Sequence, residues 1–417
     1  MAEMNQTTTS QKRRVLVTGG ANGIGRAICL RLAADGYAVA VADIDAAEAL
    51  RLSESMGPGH VALAVDLTDV KAAADLPAQA ARALGGLDVV INNAGVTDSS
   101  GRMLVDLPQS AFDHLVAINL TAVEQVCKAA GEILAPGSSI VNLASGAAYR
   151  ALALRGPYSA TKAGIVALTS ALAAEFEPLG ITVSAIAPGY TVTPLVEELE
   201  RTGRVNLEVV AATIPLGRLA RPDDIASAVA FAASVEGRGV NGQTLIVDGG
   251  GLMGQAPETG GPEKGVEETG ATVLLGAADD LDLEIPGIAT QSELDPAGPI
   301  SAVIDASALA GDRTPAERLE AAIATAKACA AHPRRTADFN LVYLIGEGAS
   351  PSAKAAGAAL GMLSRTLALE WARSGMRVNA VSWRGGSHVQ LGALCRFLTG
   401  PDGDYVTGQT VFAGETL

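Results

Sequence analysis

The sequence predicts an α/β protein built on a doubly wound parallel sheet, followed by a second, smaller α/β unit. Three observations predict it. Short apolar runs alternate with Ala-rich helical stretches from residue 14 onward, a glycine cluster separates the first run from the first helical stretch, and one helix with its following strand occurs twice. Strands separated by helices favour a parallel sheet covered by helices on both faces.

Taken in order, RVLVTGG reads as a short buried strand ending in glycine, and IGRAICLRLAADG carries helical periodicity with a glycine stop. YAVAVAD, HVALAVD, LDVVINNAG, SSIVNLAS, ITVSAIAPG and QTLIVDGG follow as further strands. Residues 253–270 are rich in Gly, Pro and Glu without periodicity, which marks a linker. The expected organisation is a flexible N-terminus at 1–13, a first unit at 14–252, the linker, and a second unit at 271–417.

Composition agrees with two units, because 417 residues exceed what one hydrophobic core usually serves. A net charge of −15 argues against nucleic acid or an anionic membrane as partner, since either would repel the chain. Cys29, Cys127, Cys329 and Cys395 lie far apart and in no metal-like spacing, as expected of reduced core cysteines. The polar N-terminus has no apolar segment of a secretory signal, and no run is long enough to span a bilayer. A cytoplasmic location is expected.

TGGANGIG places Gly19, Gly23 and Gly25 directly after a strand and before a helix, with Asn22 and Ile24 between them. Such glycines let the backbone turn tightly and approach a pyrophosphate at the helix N-terminus, where unpaired N–H groups favour negative charge. Asp43 ends the second strand, where a carboxylate accepts hydrogen bonds from an adenosine ribose. It would repel the extra phosphate of NADP, and neither Asn22 nor Ile44 compensates; NAD is therefore the expected cofactor.

Ser145 ends a strand, and Tyr158 and Lys162 lie four apart on one face of a helix. Hydride transfer at a secondary carbon requires a proton to move on the oxygen. A tyrosine serves near neutral pH when a nearby ammonium favours its phenolate, and a serine hydroxyl holds the carbonyl oxygen.

These features, with NNAG at 92–95, PGYTVTP from Pro188 and IPLGRLARPDDIASAVAFAAS, make the first unit resemble the short-chain dehydrogenase/reductase family over its whole length. The resemblance implies a Rossmann-like fold and a tetrad completed by Asn119, which holds a water in a proton relay. It places Asp66 and Leu67 at the adenine, and Asn93, Ala94 and Gly95 beside the cofactor ribose. Lys162 is implied to touch the nicotinamide ribose as well as acidify Tyr158. Pro188, Gly189, Thr191 and Thr193 are implied to clasp the carboxamide, although Thr191 departs from the commoner aliphatic residue. Residues 194–214 fall where the family keeps its mobile lid, and their shortness fits a small substrate. In relatives acting on short hydroxy acids a cation at the spacing of Arg155 pairs with the substrate's anionic group. A guanidinium suits a carboxylate or sulfonate; Arg155 or Arg150 serves here, unless Arg155 is only a surface loop residue.

Residues 158–186 reappear as 353–381 when Glu175 is laid on Glu370, which puts Ala353 at Tyr158 and Gly357 at Lys162. SAVIDAS likewise puts Asp305 at Asn92, NLVYLIG puts Gly346 at Ser145, and AADDLD stands where the glycines should be. About thirty residues separate ATVLLG from SAVIDAS, too few for two further strand-helix units. The second unit is therefore expected to bind no dinucleotide, to catalyse nothing by this chemistry, and to pack on the first as a pseudo-partner. The helix at about 352–373 and the terminal strand are expected to make that contact. Two such chains would give a homodimer of four Rossmann-like units with one active site per chain. The whole then reads as an NAD-dependent oxidoreductase of a small secondary alcohol or its ketone. Two other readings are an NADPH-linked 3-oxoacyl thioester reductase, which Asp43 argues against, and a dinucleotide-binding sensor or scaffold without turnover.

Overall fold

The computed structural model describes residues 12–414 apart from 98, 99, 101, 202, 204, 258–260, 277–280, 282, 296, 310–312, 347 and 349. The N-terminus to residue 11 and most of AADDLD therefore lie outside the described residues. In the first unit the elements run β1 (Arg14–Thr18), α1 (Gly23–Ala34), β2 (Ala38–Asp43), α2 (Ala46–Ser55), β3 (Val61–Ala64), α3 (Val70–Leu84), β4 (Val89–Asn92), α4 (Gln109–Val116) and α5 (Ala122–Gly131). They continue with β5 (Ser139–Leu143), α6 (Gly156–Phe176), β6 (Thr182–Pro188), α7 (Pro194–Arg201), α8 (Leu207–Thr213), α9 (Pro222–Ala233) and β7 (Thr244–Val247). The seven strands form one parallel sheet in the order β3-β2-β1-β4-β5-β6-β7.

Alternation along the strands decides which helices each face receives. Val15, Val17, Val39, Val41, Val89 and Ile91 belong to the core under α1 and α9. Leu16, Ala40, Ala42, Val90 and Ile140 belong to the opposite core, under α3, α5 and α6. The order of winding reverses between β1 and β4, which opens a crevice at the carboxyl ends of those strands.

The second unit contains β8 (Ala271–Leu275), β9 (Ala289–Gln291), β10 (Ile300–Asp305), α10 (Pro315–Ala331), β11 (Arg335–Gly346), α11 (Pro351–Trp371), β12 (Arg377–Trp383), α12 (His388–Thr399) and β13 (Thr410–Ala413). Its six-stranded sheet, β13-β12-β11-β10-β8-β9, repeats the order of the first with no counterpart of β3. The short connection between β8 and β10 thus still delivers one strand, β9. On the same connection Leu283 and Ile285 pack in the core that holds α12, and a methyl on Gly392 of α12 would overlap the Leu283 carbonyl oxygen.

The two units share one hydrophobic core. Ala228, Val229 and Ala232 of α9 and Leu391, Leu394 and Phe397 of α12 lie in a single buried cluster. Phe231 and Phe397, at the same position of their respective helices, stack with ring centroids 4.3 Å apart. On the adjoining edge strands the Gln243 amide bonds the backbone N–H and C=O of Phe412, at 2.8 and 2.7 Å. The Gln409 amide does the same to Ile246, accepting from its N–H at 2.9 Å and donating to its carbonyl. Equivalent residues meeting equivalent residues define a local pseudo-twofold axis between the copies. Those amides also satisfy backbone groups on two sheet edges that would otherwise be open to pairing. The contact differs from the expectation in one respect: β13 takes part, but α12 stands where α11 was expected. The face that meets the other unit belongs to the helix after the repeated one.

The stretch at 253–270 does not hang free of the second unit. Val266 pairs with Thr336, its N–H donating to the Arg335 carbonyl at 2.7 Å, and Arg334 forms an ion pair with Glu268 at 2.6 Å. All four cysteines are buried and unpaired. Among the described residues no helix is long and apolar enough to cross a membrane.

Candidate active site

The glycine loop joins β1 to α1 at the crevice. Gly19 and Gly23 have φ of +60° and +54°, the left-handed region that side chains avoid. Gly25 is required for space: a Cβ there would stand 2.0 Å from the Gly19 carbonyl oxygen. Asn22 occupies the N-cap of α1, but its side chain makes no capping bond, so the first-turn N–H groups face the crevice without one. Asn93 fastens the loop, its amide donating to the Thr18 and Gly19 carbonyls at 3.0 and 2.9 Å. Thr18 ties β1 to the end of β4, its hydroxyl accepting from the Asn93 and Ala94 N–H groups, both at 3.1 Å.

The ribose candidate Asp43 ends β2, half-buried beside the loop. One carboxylate oxygen accepts from the Ala21 N–H at 3.0 Å and the other from the Asp45 N–H at 3.0 Å. Ile44 beside it is 74% exposed. Asp66 is exposed and accepts from the Thr68 N–H and hydroxyl at 2.9 and 2.7 Å, which holds its carboxyl below the usual range. Leu67 packs against the core beneath.

Asn119 lies in a π-helical turn, Ala117–Thr121, between α4 and α5. Such a turn inserts a residue into a helix and re-aims a side chain, often at a functional site. Fully buried, Asn119 accepts from the Val96 N–H and donates to the Val96 carbonyl, both at 2.8 Å, and its amide reaches the Thr161 hydroxyl at 3.3 Å. A methyl on Gly95 would stand 3.3 Å from both Asn119 Oδ1 and Lys162 Nζ, which brings the tetrad residues and the loop after β4 together.

Ser145 lies two residues beyond β5, and its hydroxyl accepts from the Ala147 N–H at 3.2 Å. It is also hydrogen-bonded to the Tyr158 phenol. Burial pushes that phenol above its ordinary pKa, while the bond from Ser145 and the charge of Arg155 oppose the shift. The Lys162 ammonium, buried in α6, donates to the Leu143 carbonyl at 2.8 Å and lies 5.9 Å from the Tyr158 ring centroid. Burial lowers its pKa from 10.5 to about 8.

That shift makes stability depend on pH. Above about pH 8 the folded chain has released this proton, whereas an unfolded chain holds it to about 10.5, so the group's contribution to stability rises with pH between those values. The urea midpoint of the wild type relative to Lys162→Met should climb over that interval; a flat difference would refute the assignment.

Pro188 ends β6, and Gly189 follows with its N–H donating to the Val247 carbonyl at 2.9 Å. Thr191 is buried, donates to the Gly189 carbonyl at 3.2 Å and bridges to Ala220. Thr193 returns to the glycine loop: a Cβ on Gly23 would meet its methyl at 3.6 Å. Arg155 precedes α6, half-buried, and donates to the Thr97 hydroxyl at 2.6 Å. Arg150 is exposed on the preceding loop. In the second unit Gly346 ends β11, and Ala353 and Gly357 lie in the first two turns of α11. Sequence reasoning missed Thr18, Thr161 and the Leu143 carbonyl; only Thr18, adjoining the glycine motif, carried a readable signal.

A profile of the family described as enoyl-(acyl carrier protein) reductase matches residues 19–251, which take in this crevice from Gly19 onward. The chain belongs to the short-chain dehydrogenase/reductase family. It is 34% identical over 279 residues to an uncharacterized short-chain type dehydrogenase/reductase of Sinorhizobium fredii, covering 67% of this chain but only 50% of that relative. It is 41% identical to a cis-4-hydroxycyclohexanecarboxylate dehydrogenase of Sinomonas cyclohexanicum over 57% of this chain and 96% of the relative. A crystal structure of a short chain dehydrogenase from Burkholderia cenocepacia, in complex with NADP, superposes with a TM-score of 0.53 at 34% identity, over 57% of this chain and 96% of that one. Membership of the short-chain dehydrogenase/reductase family implies a nicotinamide cofactor. The residues present fit one: the loop closes up if Gly25 gains a Cβ, and the first turn of α1 has no side-chain cap.

Proposed function

We propose that the chain is an NAD-dependent oxidoreductase that interconverts a small secondary alcohol and its ketone, on a substrate bearing a carboxylate or sulfonate. The observation that carries this reading is the Tyr158 phenol, hydrogen-bonded to Ser145 and facing the charges of Lys162 and Arg155 at the crevice. A bound nicotinamide supplies hydride exchange. In oxidation, Ser145 holds the substrate oxygen and the Tyr158 phenolate takes its hydroxyl proton, which leaves to solvent by way of a water held by Asn119; in reduction Tyr158 gives its phenol proton to the substrate oxygen and regains one by the same route. Lys162 lowers the cost of the phenolate by its charge. Asp43 supports NAD, since its carboxylate occupies the end of β2 with both oxygens aimed at backbone N–H groups. The catalytic domain spans 14–252 and the non-catalytic one 271–417, joined by 253–270, and two chains assemble as a cytoplasmic homodimer with one active site in each.

Arg155 supports the anionic substrate, as does the hydroxy acid named for the relative from Sinomonas. Turnover of hydroxy carboxylates, hydroxysulfonates and neutral alcohols with NAD and NADP, in wild type and Arg155→Ala, tests the proposal. The expected result is NAD preference and a loss in kcat/KM of about 10- to 100-fold on anionic substrates alone. Equal losses on anionic and neutral substrates would remove the role of Arg155, and NADP preference would remove that of Asp43.

A further inference from the structure

The second unit reaches the end of the lid and the segment that follows it. Helix α8 closes the lid, and its Ala212 carbonyl accepts from Arg373 Nη2 at 2.8 Å, across from the turn that follows α11. A guanidinium suits that place, because the last carbonyls of a helix are unpaired and carry the negative end of its dipole. The same guanidinium fills the space above Gly217, where a Cβ would stand 2.6 Å from Nη1.

Tyr405, also of the second unit and 1% exposed, holds the chain a few residues further on. Its hydroxyl donates to the Arg218 carbonyl at 2.6 Å, and the Arg218 guanidinium lies over its ring at 4.3 Å. Arg218 is fixed in turn by Asp224 at 2.7 Å. From this strap the contacts continue into the first unit. Ala220 donates to the Tyr190 carbonyl and accepts from the Val192 N–H, both at 2.8 Å. Tyr190 and Val192 flank Thr191, and Thr193 lies against the glycine loop. Hydrogen bonds and short stretches of backbone thus link the second unit to the residues beside the glycine loop.

We propose that the second unit positions the substrate lid of the first, with Arg373 and Tyr405 as its positioning residues. They hold the last turn of α8 and residues 214–220 in place, so that α7 and the rest of the lid close against a rigid end. The proposal rests on the reading of 194–214 as the cover of the substrate. A second copy devoid of catalytic side chains then serves the reaction of the first by presenting a cation and a phenol to its lid.

The test compares full-length wild type with Arg373→Ala, Arg373→Lys and Tyr405→Phe. The arginine is exposed and the tyrosine keeps its ring, so the fold is expected to survive each change. Losing one such bond should raise substrate KM about three- to tenfold while kcat stays within about twofold. Trypsin cleavage after Arg201, on α7, should quicken by about the same factor as the lid is released. Arg373→Lys should recover most of both. Unchanged KM and unchanged cleavage in both Arg373→Ala and Tyr405→Phe would overturn the proposal. If no alcohol is turned over by the wild type, the functional reading fails, and the cleavage rate still decides whether Arg373 holds the lid.

Discussion

Replacing Tyr158 by phenylalanine should lower kcat by about 10²- to 10⁴-fold, the usual contribution of one positioned acid-base group. The ring would keep its place on α6, because what is removed is a single hydroxyl bonded to Ser145. Such a bond contributes about 1 kcal/mol net, and the variant no longer buries a phenol, so thermal unfolding should barely move. Cofactor affinity should also be unchanged, since Lys162 and the glycine loop are untouched. Steady-state rates on the best alcohol, with cofactor titration alongside, check all three expectations. A variant retaining a tenth of the activity would show that the proton travels elsewhere.

The second large effect is expected from Gly25→Ala. The new methyl would stand 2.0 Å from the Gly19 carbonyl oxygen and 2.5 Å from Asn93 Nδ2. Those two atoms are hydrogen-bonded partners, so the methyl drives apart the bond that fastens the loop. Overpacking of this kind costs about 1–3 kcal/mol. The displaced loop should weaken cofactor binding by about 100-fold or more, equivalent to about 2.7 kcal/mol. Calorimetric titration of the cofactor, with urea unfolding as the measure of stability, would read both. Wild-type affinity in the variant would mean that the loop yields without cost.

Much of the fold was legible because period and burial coincide. Strands β1, β2 and β4 alternate faces residue by residue, and their residues fall into two cores as an apolar alternation requires. The three-residue β9, ATQ, has too little apolar character to be read as a strand, and pairs through the backbone alone. The π-turn at Asn119 was invisible for a related reason, since five residues do not distinguish its period from that of an α-helix. The anchor of Lys162 is a backbone carbonyl, which leaves no trace in residue identity. The misplacement of α11 at the contact between copies has another cause. Likeness between two segments says that they fold alike and is silent on which face meets. The readable signals were elsewhere: a phenylalanine at one position of both α9 and α12, and GQT before both terminal strands.

The pseudo-twofold contact has a consequence for how the two copies can change over time. Across a true twofold interface every substitution is made twice, so a change that improves one side is imposed on the other. Here Phe231 and Phe397, or Gln243 and Gln409, are separate codons of one gene, and each can vary alone. Tethering also replaces a concentration-dependent encounter by an intramolecular one, so dilution cannot separate the copies. A chain arranged in this way is free to lose chemistry on one side while keeping its partner always present.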